Sequence, residues 1–123
     1  MRLLPQILLQ GDLQAALALW ARAFPGMEVA ATGHGEDGRR TLVEVAVAGG
    51  RFAVLDSPPI HRFAPNPAVS LRVELEDEAQ VDHAVAVLSE GGAVLMPLDR
   101  YDFAARYAWV SDRFGVSRQV MRP

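Results

Sequence analysis

Apolar residues recur along this chain in two rhythms, and the rhythms alternate in the same order twice. From Ile7 to Leu9 the chain is apolar, and then Gly11-Asp12 interrupts it. Leu13, Ala16, Leu17, Trp20 and Phe24 follow at helical spacing, which predicts an amphipathic helix stopped by Pro25-Gly26. Asp12 is expected to cap it by accepting amides of the first turn. Strand-like pieces come next near 28–32, 41–47 and 51–55, separated by the turn-rich "GHGEDGR" and "AGG".

The second half repeats this order. "AVSLRVEL" alternates strictly, with Val69, Leu71, Val73 and Leu75 on one face and Ser70, Arg72 and Glu74 on the other. Asp77 breaks the run, Val81, Val85 and Leu88 mark a helix, and Gly91-Gly92 ends it. Further strand-like pieces lie near 93–97, 106–111 and 116–121. The punctuation keeps a constant offset: Asp77 follows Asp12, Gly91 follows Gly26 and Gly115 follows Gly50, each by 65 residues. Constant self-similarity predicts two copies of one βαβββ unit. Neither unit can bury a sheet face alone, so two curved mixed sheets are expected around a cleft, with a helix outside each. The fold class is therefore α+β. We expect one domain over 1–123, with module one at about 1–60 and module two at about 65–123.

Composition narrows the function classes. Half of the 123 residues are hydrophobic and 22% are charged, the balance of a globular protein with a real core. No apolar run reaches the ~18–20 residues that span a bilayer, so no membrane role is expected. The opening "MRLLPQILLQGD" has no small-residue cleavage site and reads as structure, not as a signal peptide. The absence of Cys removes disulfides, thiolate catalysis and Cys-bound zinc, and fits a cytoplasmic location. All 12 basic side chains are Arg, scattered along a chain of net charge −3, so no stripe for nucleic acid is expected.

"GDLQAALALWARAFPG", "VEVAVAGGRFAVLD", "NPAVSLRVELEDEAQVDHAVAVLSEGG" and "YDFAARYAWVSDRFGVSRQVM" together resemble the PhnB-like branch of the vicinal oxygen chelate superfamily. That superfamily is also called glyoxalase/bleomycin-resistance/dioxygenase-like, and the branch carries a legacy demethylubiquinone methyltransferase label. Arg118 departs from the pattern, which has Trp there. The resemblance implies a homodimer and, in the superfamily's enzymes, a divalent metal. Carried onto this chain, the metal positions are Pro5, about Val54, Ser70 and Gln119. None is His or Glu, so we expect no metal and no cofactor. His34, His61 and His83 lack any HxH or HxxxH spacing and read as surface or loop residues.

Alternation then assigns the cleft lining. Ser70, Arg72 and Glu74 point inward, as do Ser117, Gln119 and Met121, with Tyr107 and Trp109 on the neighbouring strand. Val43, Val45 and Val47 face the helix, Glu44 faces the cleft, and Phe52, Val54 and Asp56 are expected beside Glu44. Both faces of the first strand are partly apolar, which leaves its orientation open. Met96–Tyr107 reads as a long excursion, a lid or a dimer arm, and Ser57–Pro67 as a stiff linker. The expected ligand-binding residues are Glu44, Phe52, Ser70, Arg72, Tyr107, Trp109 and Gln119. Arg72 would grip a carboxylate or phosphonate. This supports a metal-free protein binding a small-molecule ligand. The alternative is a divergent lyase, isomerase or dioxygenase-like enzyme on a small carboxylate or phosphonate. In it Glu44, with a pKa raised in an apolar cleft, or Asp56 would be the base. A methyltransferase is disfavoured, since no Gly-rich loop suited to adenosylmethionine joins a strand to a helix.

Overall fold

The computed structural model describes residues Met1–Pro123. Module one runs β1 (Gln6–Leu9), α1 (Leu13–Ala23), β2 (Glu28–His34), β3 (Arg40–Val47) and β4 (Gly50–Asp56). Module two repeats it with β5 (Ser70–Glu74), α2 (Glu78–Leu88), β6 (Ala93–Tyr101), β7 (Ala104–Ser111) and β8 (Ser117–Arg122). The sheets are β1-β4-β3-β2 and β5-β8-β7-β6. In each, the first strand lies parallel to the last and the other pairs are antiparallel. This is the α+β arrangement of two βαβββ modules, and α1 and α2 start and stop at the same offset as the punctuation.

The helices hold the modules together. Each carries one buried stripe: Leu13, Ala16, Leu17 and Trp20 on α1, and Val81, Ala84, Val85 and Leu88 on α2. The stripes pack on each other and on Val43, Val45, Val54, Val73, Val110 and Val120, forming one core shared by both modules. The two sheets do not pair; β1 and β5 are edge strands, and Ile7 and Leu8 of β1, the linker and Leu71 of β5 line one cavity. The linker between modules is held by Gln10, whose side chain donates to the Phe63 carbonyl and accepts from the His61 amide. Gly115 closes the β7–β8 turn at φ +85° against Pro65, whose carbonyl oxygen would lie 2.5 Å from an added Cβ.

Three expectations fail. Asp12 makes no side-chain cap, whereas Asp77 on the equivalent turn accepts the Ala79 amide at 2.7 Å. The expected excursion Met96–Tyr107 is a hairpin: β6 continues to Tyr101 and β7 starts at Ala104. β6 is an edge strand, and edges tolerate Pro97 and the charges that made it look like a loop. On β4 the facing is reversed. Val43 pairs with Val54 and Val45 with Phe52, so Phe52 and Val54 turn to the helix with the β3 valines. Phe52 meets the Trp20 ring edge-on at 5.8 Å. Asp56 also leaves the cleft face, and its Oδ1 accepts the Gly11 amide at 2.7 Å, fastening the turn into α1.

Candidate functional site

The face of the second sheet opposite α2 carries a connected polar and aromatic surface. β7 and β8 pair Tyr107 with Met121, Trp109 with Gln119 and Ser111 with Ser117, which puts these side chains on one side. Ser70 joins them from β5, its hydroxyl 2.6 Å from that of Ser117. Trp109 donates its indole N–H to Ser117 Oγ at 2.8 Å, and the Tyr107 hydroxyl donates to Gln119 Oε1 at 2.9 Å. Burial, with Tyr101 nearby, raises the Tyr107 hydroxyl above its ordinary pKa. Met96, Tyr101, Ala104 and Met121 complete an apolar cluster distinct from the shared core. Phe103, at the tip of the β6–β7 hairpin, stands over Tyr107 at 4.8 Å and is 58% exposed.

Glu44 lies on the corresponding face of the first sheet, aligned with Ala53 and Gln6. The orientation of β1 is thereby settled: Gln6 and Leu8 share the Glu44 face, and Leu9 enters the core. Arg2 grips Glu44 through two hydrogen bonds of 2.7 Å each. That pairing holds the Glu44 carboxyl below its ordinary pKa, the opposite of the raised value expected for a base in an apolar cleft. Arg72 is exposed, sits 3.3 Å from Glu74 on its own strand, and with it lines a cavity that also includes Trp20, Phe24 and Arg118.

The structure therefore brings Ser70, Tyr107, Trp109 and Gln119 together, keeps Arg72 beside them, places Glu44 on the other sheet, and removes Phe52 to the core. No cavity of the chain is lined by Glu44, Ser70, Tyr107, Trp109 or Gln119. Sequence reasoning missed Arg2, Met96 and Tyr101 as members of these faces. It also missed that Arg118, between Ser117 and Gln119, takes the helix phase of β8 and is 2% exposed. An Arg in a core phase needs a buried carboxylate, and Asp112 was that signal.

The donors at the superfamily's metal positions do not fit a divalent cation. Pro5 and the helix-facing Val54 have none, the Ser70 hydroxyl is shared with Ser117, and the Gln119 oxygen is taken by Tyr107. No three His, Cys, Asp or Glu residues lie close enough to hold a metal. His34, His61 and His83 are exposed on separate elements, and His83 Nε2 meets the Arg22 carbonyl at 2.7 Å.

Two βαβββ modules with this pairing share the fold of the glyoxalase/bleomycin-resistance/dioxygenase superfamily, as solved structures show. A superfamily member from Sphaerobacter thermophilus is similar at 18% identity and TM-score 0.61, covering 100% of this chain and 98% of its own. The chain belongs to the family described as 3-demethylubiquinone-9 3-methyltransferase, which matches residues 1–121. A putative 3-demethylubiquinone-9 3-methyltransferase, PhnB protein, from Bacillus cereus is 26% identical over all of both chains, with TM-score 0.86. Protein PA1353 from Pseudomonas aeruginosa is 20% identical over 99% of this chain and 97% of its own, with TM-score 0.82. No curated protein matches the chain.

Proposed function

We propose that this chain is a metal-free, small-molecule-binding protein of the cytoplasm, working as a homodimer. Its site is the Ser70–Tyr107–Trp109–Gln119 face, closed by the Glu44 face of a second copy. The observation that carries the reading is a finished binding surface without a cavity. Aromatic walls and convergent hydroxyl and amide groups describe a ligand site, yet the single chain leaves them on an open sheet. The exposed Phe103, Val94 and Leu95 of the β6–β7 hairpin support a second copy as the missing wall. Arg72, on the rim, supplies the cation for a carboxylate or phosphonate.

The divergent-enzyme reading gains nothing from its two candidate bases, since Arg2 holds Glu44 ionised and Asp56 is occupied by a backbone amide. The test combines sedimentation with a thermal-shift screen of small carboxylates, phosphonates and planar drugs. A dimer with a ligand-induced shift that Trp109→Ala abolishes supports the reading. A monomer, or a shift indifferent to Trp109, refutes it.

A further inference from the structure

Arg118 uses only part of its hydrogen-bonding capacity. Its Nη1 donates to Asp112 Oδ2 at 2.9 Å and, at 3.4 Å, to the Val116 carbonyl, while its guanidinium carbon lies 4.6 Å over the Trp20 ring. Nε and Nη2 donate to no protein group. No side-chain nitrogen or oxygen sealed from solvent lacks a partner, so this free edge of the guanidinium is not walled in. Arg118 also lines a cavity of about 270 Å³ together with Trp20, Phe24, Phe52, Leu71 and Val73. Arg51 and Arg72 also line it, and its one acidic lining residue, Glu74, is paired with Arg72. Gln119, the next residue on β8, faces the other way, so this cavity lies on the helix side of the sheet and shares only Arg72, on the β5 edge, with the Ser70–Tyr107–Trp109–Gln119 face.

We propose that the cavity is a second binding site, taking a small monocarboxylate with an aromatic or branched apolar body. Nε and Nη2 of Arg118 form the fork that receives the carboxylate side-on, and Trp20, Phe24 and Phe52 receive the body. A guanidinium offers two parallel donors matched to a carboxylate's two oxygens, and burial strengthens such bonds by excluding water. Asp112 already balances one unit of charge, so the walls suit a monoanion better than a phosphate dianion. The volume lies just under the ~300–1,000 Å³ of drug-sized pockets and suits a single ring.

The experiment uses Trp109→Phe, which leaves Trp20 as the sole tryptophan, titrated with benzoate and phenylacetate against neutral benzyl alcohol and benzamide. Saturable change in Trp20 emission with the acids, at least about tenfold weaker for the neutral analogues, is the expected result. Arg118→Lys retains a cation for Asp112 but loses the fork, and it should weaken the acids about tenfold, with its unfolding midpoint measured alongside. In the wild type the Arg118 Nε–H resonance should shift as acid binds, and this decides the matter if Arg118→Lys does not fold. Equal binding of acids and neutral analogues, a stationary Nε–H resonance, or a response confined to Trp109 in the Trp20→Phe protein overturns the second site. The last outcome would leave the proposed function standing.

Discussion

Trp20 on α1 donates its indole Nε1–H to Asp112 Oδ2 at 2.8 Å, joining residues 92 positions apart across the two modules. The same oxygen accepts from Arg118, and the other carboxylate oxygen accepts the Phe114 and Val116 amides. One carboxylate thus holds the β7–β8 turn, pairs a buried guanidinium and fastens the opposite module. Burial alone pulls the Arg118 pKa down, and Asp112 opposes that pull.

Removing either member of the pair strands a buried charge. Arg118→Met and Asp112→Ala should each destabilise by about 3–5 kcal/mol in urea unfolding, with Asp112→Ala the worse because it also opens the turn. The double variant Arg118→Met/Asp112→Asn should cost less than the sum of its single changes, because no lone charge stays buried. Strict additivity would mean that the two groups do not interact.

Glu44 should titrate below the ordinary carboxylate value of 4.5, and Arg2→Ala should return it toward that value. The folded pKa is the depressed one. The pair therefore adds stability above the unfolded pKa, and that contribution disappears as pH falls through the folded value. Carboxyl carbon shifts followed by NMR supply the measurement. A Glu44 value above 4.5 would restore its candidacy as a general base.

Chelation should change nothing. With Ser70 and Gln119 already hydrogen-bonded to Ser117 and Tyr107, and no donor at Pro5 or Val54, EDTA should leave the unfolding midpoint where it is. Dialysis against Zn, Ni or Mn should leave sub-stoichiometric metal by elemental analysis. A stoichiometric ion retained through dialysis would mean that these side chains do hold a cation.

How far the sequence could be read depends on whether one face of each strand was distinguishable. On β5, Leu71 and Val73 alternate with Ser70 and Arg72, and the phase is plain. On β4, "RFAVLD" is apolar in both phases, so alternation cannot choose between Phe52–Val54 and Ala53–Leu55. The choice is made by the register of the β3–β4 hairpin, which sets Val45 opposite Phe52, and by Trp20 on the helix, which is distant in sequence. β6 misleads in another way, because an edge strand carries the polar residues and proline of a loop. The punctuation was legible since capping and left-handed turn positions restrict residue type locally, although Asp12 shows that a suitable residue need not make the cap. The open ligand face was not legible. Alternation says which side chains share a face and nothing about what covers that face.

The reversed phase of β4 gives the sharpest contrast between structure and site. Phe52 is 4% exposed, with its ring against Trp20 and its strand partner Val45 beneath the same helix. Phe52→Ala should therefore remove about 3–5 kcal/mol of stability, the cost of a buried aromatic and the void it leaves. Trp109 is half-buried on the open face, and Trp109→Phe loses the hydrogen bond to Ser117 while keeping most of the apolar surface. That change should cost about 1 kcal/mol, the net worth of one hydrogen bond, while weakening whichever ligand the thermal-shift screen identifies. Urea unfolding of the two variants side by side measures the difference. If Trp109→Phe proved as destabilising as Phe52→Ala, Trp109 would be part of the structural core, and the open face would lose its claim as a binding surface.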